Sequence, residues 1–169
     1  MAEKAFFEWS DAISVGVDAI DEQHKTLIGI LNRLFIAIVE RTSNEVTIEI
    51  LDALIDYTKT HFELEEKLMR DAGYNAAEYA LHLQQHQAFI AKTSEIARKH
   101  LVDGKSISFE VVHFLKRWLQ EHILGTDKKY AAVLQKMGLP APALAAFAEG
   151  DRAAKEAAAP KLRKWWQVW

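Results

Sequence analysis

The chain of 169 residues contains no cysteine. Disulfides, iron–sulfur clusters and thiolate zinc sites are thereby excluded together. It also lacks any apolar run of the 18 or so residues that a membrane span requires. The longest candidate, residues 27–39, is interrupted by Asn32 and Arg33. The first residues, Met1-Ala2-Glu3-Lys4-Ala5-Phe6, show no basic region followed by an apolar stretch, so no secretory signal is expected. The net charge is only −3, which gives no electrostatic reason to expect nucleic acid. No alternating pattern marks a strand. What remains is an all-α protein, expected in the cytoplasm. Its length suits one domain with a real core plus a short appendage.

Apolar residues recur at helical spacing almost throughout. A first helix is expected over 21–40, with His24, Leu27, Ile28, Leu31, Leu34, Phe35 and Ile38 inward. Ser43 and Asn44 offer a cap for a second over 44–71, whose inner face includes Ile48, Leu51, Leu54, Ile55, Thr58, His61, Phe62, Glu65, Leu68 and Met69. Gly73 stops it, and Asn75-x-x-Glu78 reads as a capping box opening the third. The third turns His82, His86, Phe89, Thr93 and Ile96 inward and ends near Asp103-Gly104. A fourth, from about Ser106, presents Val111, Val112, Leu115, Trp118, Leu119 and His122. Short loops between long amphipathic helices imply an up-down-up-down four-helix bundle over residues 1–137.

Five of the seven histidines fall into a pattern with two carboxylates. The run is His24, His61-x-x-x-Glu65, His82-x-x-x-His86 and His122-x-x-x-x-Asp127. Residues at i and i+4 share one helix face, a turn apart. Seven ligands are too many for one tetrahedral ion, and they suit two first-row ions sharing the carboxylates. Counting from turns near residues 42, 73 and 104 supports this. His24 and His61 lie about 18 and 19 residues from the first, Glu65 and His82 lie 8 and 9 from the second, and His86 and His122 each lie 18 from the third. At ~1.5 Å per residue, these groups arrive at a common height. His122 to Asp127 is i,i+5, about 140° out of phase on a regular helix. Ligation by both therefore requires a bulge, most cheaply at Gly125-Thr126.

Other residues have blander readings. His113 faces away from His122, and His100 lies about 27 Å along the third helix from His82. Both are expected at the surface or a helix end. Glu63 and Glu66 are expected on a solvated face, and Trp9, Phe62 and Trp118 in bundle packing. Glu65 differs, because an ionised carboxylate on an apolar face needs a partner.

These residues carry a resemblance. Trp9, Ser14-Val15-Gly16-Val17, Ile20-Asp21-x-Gln23-His24-Lys25, the two i,i+4 pairs and Trp118-Leu119-x-x-His122-Ile123-x-x-x-Asp127 resemble the hemerythrins, in particular the single-domain bacterial members, over about residues 6–137. The resemblance implies a non-haem centre of two iron ions, joined by an oxo or hydroxo bridge. His82, His86 and His122 would hold one iron and His24 and His61 the other, with Glu65 and Asp127 bridging them. The uneven histidine count leaves an open position for dioxygen. The expected function is reversible dioxygen binding for storage, delivery or sensing, by a protein that is not an enzyme. The alternative is a di-iron redox enzyme on the same scaffold, such as a peroxidase, nitric oxide reductase or ferroxidase. A nitrogen-rich, apolar-lined site with no Glu-x-x-His pair favours the first.

After Gly138-Leu139-Pro140-Ala141-Pro142 the composition shifts. Residues 143–159 are Ala-rich and read as a short helical extension interrupted near Gly150. The segment 160–169 adds Lys161, Arg163 and Lys164 to Trp165, Trp166 and Trp169, three of the five tryptophans. It suits packing back on the bundle or self-association, then docking onto a partner protein, then a membrane surface.

Overall fold

The computed structural model of the protein describes residues 5–137. The expected helical extension and the tryptophan-rich end, residues 138–169, lie outside them. A turn of 3-10 helix, Asp11–Ile13, leads into α1 (Asp18–Val39), α2 (Asn44–Asp71), α3 (Ala76–Asp103) and α4 (Phe109–His122). The chain then makes one π-helical turn, Ile123–Asp127, and continues as α5 (Lys128–Met137). These last three form the fourth rod of an all-α four-helix bundle. α1 packs on α2 and α4, and α2 packs on α3.

The caps explain most of the boundaries. Ser43 accepts a hydrogen bond from the Val46 amide at 3.4 Å, opening α2. Asn75 accepts from the amides of Ala77 and Glu78 at 3.0 and 3.1 Å, opening α3. Gly104 closes α3 in the left-handed region, at φ 62°, where a side chain would be strained. Two starts differ from the sequence reading. α1 begins at Asp18 rather than near 21, which places Asp21 in its first turn. Its carboxylate accepts from the Ser14 hydroxyl at 2.6 Å and the amides of Val15 and Gly16 at 2.8 and 3.2 Å, tying the entry loop to the helix. α4 begins at Phe109 rather than near 106, with Ser108 extended at its N-cap and Ile107 before it buried.

Leu27, Leu31, Leu34, Leu51, Leu68, Leu115 and Leu134 are fully buried. Each contributes about 1.5–3 kcal/mol through removal of apolar surface from water. No helix among the described residues is long and apolar enough to cross a membrane.

Candidate metal centre

All four rods deliver polar side chains to one level of this apolar core. α1 supplies His24, α2 His61 and Glu65, α3 His82 and His86, and the fourth rod His122 and Asp127; each is at most 4% exposed. The seven fall into two overlapping groups. One is Glu65, His82, His86 and His122; the other is His24, His61, Glu65 and Asp127.

The carboxylates lie between the groups. Glu65 Oε1 is 3.4 Å from His61 Nε2 and 4.0 Å from His24 Nε2, while its Oε2 is 3.1 Å from His86 Nε2 and 3.5 Å from His82 Nε2. Asp127 Oδ2 is 3.4 Å from His24 Nε2, and Oδ1 is 3.1 Å from His122 Nε2 and 3.5 Å from His82 Nε2. Each carboxylate thus offers one oxygen to each side.

Neighbouring side chains fix how three imidazoles point. The Nδ1 of His61 meets Gln23 Oε1 at 2.9 Å, that of His86 meets Glu66 Oε1 at 3.1 Å, and that of His122 meets Gln85 Oε1 at 3.1 Å. An oxygen acceptor draws the proton to Nδ1 and leaves the Nε2 lone pair facing inward. Yet His86 Nε2 lies 2.8 Å from His82 Nε2 and 3.1 Å from His122 Nε2. Lone pairs crowded in this way repel unless a cation sits among them. Both nitrogens of His24, Oε2 of Glu65 and both oxygens of Asp127 are buried without a hydrogen-bond partner. Burying such groups unpaired costs several kcal/mol. A metal pair would satisfy all of them but His24 Nδ1, which faces Asp21 at 4.0 Å.

The electrostatics agree for His61 and the two carboxylates, while at His122 burial is outweighed by the charges of Asp127 and Glu65, which raise it. Burial pushes His61 down to about 4, so it is neutral at pH 7. Burial alone would raise Glu65, but His61, His82 and His86 hold it well below the usual carboxylate range. Asp127 is also lowered, His122 and His24 outweighing burial and the charge of Glu65. Ionised carboxylates and a neutral imidazole are the forms that ligate metal. Tyr130, fully buried on α5, donates its hydroxyl to Glu65 Oε1 at 2.6 Å. Burial and the charges of Glu65 and Asp127 push this phenol well above its ordinary value, keeping it a donor.

The bulge between His122 and Asp127 is present as the π-helical turn. Thr126 Oγ1 donates to Gln85 Oε1 at 3.1 Å, so one amide steadies both the turn and His122. Gly125 is not what permits the bulge, since a Cβ there would meet open space. Phe62 stacks on His86 with ring centroids 3.6 Å apart, and Trp118 stacks on His122 at 4.4 Å. Trp9 is half-buried, with the Lys25 ammonium over its ring.

Of the remaining histidines, His113 is exposed, with its ring against Phe6. His100 lies in the last turn of α3, the helix-end placement expected for it, but is buried. It belongs to neither group. Glu63 is exposed as expected. Glu66 is not simply a solvated residue, because it holds His86. Gln85 and Tyr130 also escaped the sequence reading, and Gln23 entered it only as part of the motif, without a role. Gln23 and Gln85 adjoin ligand candidates in sequence, about 100° round the helix from them. Their role depends on what the neighbouring rod places opposite. Tyr130, three residues after Asp127 and in line with inward Ala131 and Leu134, carried a usable signal.

Comparison with known proteins places this geometry in context. Residues 15–134 match the family described as the hemerythrin HHE cation binding domain. A bacteriohemerythrin from Stenotrophomonas maltophilia is 39% identical over 127 residues, covering 75% of this chain and 80% of the relative. One from Methylococcus capsulatus is 30% identical over 131 residues, covering 77% and 98%. A crystal structure of wild-type hemerythrin is similar with a TM-score of 0.71 and 30% identity, covering 77% of this chain and 98% of that one.

Proposed function

The chain belongs to the hemerythrin family, and from that premise we propose that it binds dioxygen reversibly at a pair of iron ions, for storage, delivery or sensing. His82, His86 and His122 would hold one ion, His24 and His61 the other, and Glu65 and Asp127 would bridge them. Imidazole and carboxylate donors suit ferrous and ferric iron, and a pair with one incompletely ligated member supplies two electrons and a vacant position to dioxygen.

The observation that carries this reading is the placement of the two carboxylates. Each gives one oxygen to a three-histidine side and the other to a two-histidine side. A single ion would leave half of those oxygens idle. The surrounding residues keep the centre in one protonation state and away from water. Gln23, Glu66 and Gln85 hold imidazole protons outward, and Tyr130 steadies Glu65. Phe62 and Trp118 cover two rings. Leu27, Leu31, Leu54 and Leu115, with Thr58, help to line a largely apolar void of about 10 Å³ next to Phe62 and Trp118, which has room for one water at most.

Elemental analysis of the purified protein tests the reading. Two irons per chain are expected. A single ion, or tightly held zinc alone, would overturn it. Sustained turnover on peroxide or nitric oxide would point instead to the redox enzyme.

A further inference from the structure

We propose that Glu66 is a positioning residue that makes the three-histidine side the more electron-rich half of the centre, and so sets how readily the pair is oxidised. The inference rests on the di-iron reading above. Three imidazoles give their Nδ1 proton to a side-chain oxygen, but the acceptors differ in charge. Those of His61 and His122 are the neutral amides of Gln23 and Gln85. That of His86 is the carboxylate of Glu66, at 3.1 Å.

A hydrogen bond to an ionised partner is roughly twice as strong as one between neutral groups. It draws the proton further from the ring and makes the opposite nitrogen a stronger donor. That opposite nitrogen sits at the hub of its group. His86 Nε2 lies 2.8 Å from His82 Nε2 and 3.1 Å from both His122 Nε2 and Glu65 Oε2. His86 is 2% exposed and the Glu66 side chain 20%, so screening of this contact is limited. Of the cations that follow along α2, Lys67 pairs with Asp71, and Arg70, one turn on, hydrogen-bonds the Tyr79 hydroxyl at 2.9 Å while also feeling the Glu66 charge.

The two-histidine side has no equivalent. His24 Nδ1 has no hydrogen-bond partner, and the closest Asp21 oxygen is 4.0 Å away. The Asp21 carboxylate already accepts from Ser14, Val15 and Gly16. Asp21 thus stands behind His24 without a hydrogen bond to it, whereas Glu66 holds His86 by one, and the stronger push falls on the three-histidine side. Extra electron density at His86 would favour the oxidised state of an ion held there.

The test uses iron-loaded, full-length protein and spectroelectrochemical titration. Glu66→Gln keeps the shape and the acceptor but removes the charge. It should shift the equilibrium toward the reduced pair at least tenfold, which is about 59 mV for a one-electron couple. Gln85→Glu places a charge behind His122 and should shift it the other way. Glu66→Asp should restore part of the wild-type value. Unchanged potentials, or shifts of the same sign in Glu66→Gln and Gln85→Glu, would overturn the inference. If Glu66→Gln fails to retain two irons, Gln85→Glu decides alone: a lowered potential supports the inference, and an unchanged or raised one overturns it. A wild-type protein without an iron pair would overturn the di-iron reading and this inference with it.

Discussion

His61 shows how a residue's surroundings become measurable. In the fold it is held neutral down to about pH 4, against 6.5 for an ordinary histidine. Above 6.5 it is neutral in both folded and unfolded chains and costs nothing. Below that, the unfolded chain takes up a proton that the fold refuses. Stability of the metal-free protein should therefore fall as pH drops from about 6.5 to 4, by about 3 kcal/mol in total. His122 is raised, so its contribution is complete below 6.5 and adds no slope there. The lowered Glu65 and Asp127 lose their contributions at still lower pH. Urea unfolding of metal-free protein between pH 7 and 4.5 measures this, and a flat profile would contradict it. Tyr130 offers a second check at this scale. Tyr130→Phe keeps the ring but strips Glu65 of its donor, and should destabilise the fold by about 2 kcal/mol in chemical denaturation. A change within error would mean that the 2.6 Å contact contributes little.

Among the elements, the π-helical turn is the least ordinary. Without it, Asp127 would point out of the bundle. The spacing of His122 and Asp127 revealed the need for a bulge, but the reason for it lay elsewhere. Tyr130, Ala131 and Leu134 bury one face of α5, and Gln85 ties Thr126 to His122. Packing on either side therefore holds the turn, not the conformational freedom of Gly125. Gly125→Ala should leave the metal content unchanged and the protein between equally stable and about 1 kcal/mol more stable. Metal loss in that variant would show that the glycine is required. The same contrast runs through what the sequence made legible. Helical period, caps and ligand spacing are local, so four rods and seven inward groups could be read from them. Glu66 looked like a solvated residue, and the burial of His100 at its helix end went unread, because burial there depends on the partner helix. The early start of α1 was hidden for a similar reason, since Asp21 acts on the entry loop rather than marking the helix start.

For the whole molecule, the fourth rod closes the bundle through Tyr130, Ala131 and Leu134. We propose that the domain is complete by Met137 and that residues 138–169 act in contacts rather than in folding. A chain ending at Met137 should keep its helical circular dichroism and its metal stoichiometry. Unfolding or metal loss on truncation would assign the extension to the core. The central claim concerns the pair of ions that the four rods hold at one level. It is tested most directly by the visible absorption of the anaerobically reduced protein before and after oxygen is admitted. The account predicts a band that appears with oxygen and disappears when oxygen is removed, over repeated cycles. A spectrum that oxygen leaves unchanged, or a band that never reverses, would contradict it.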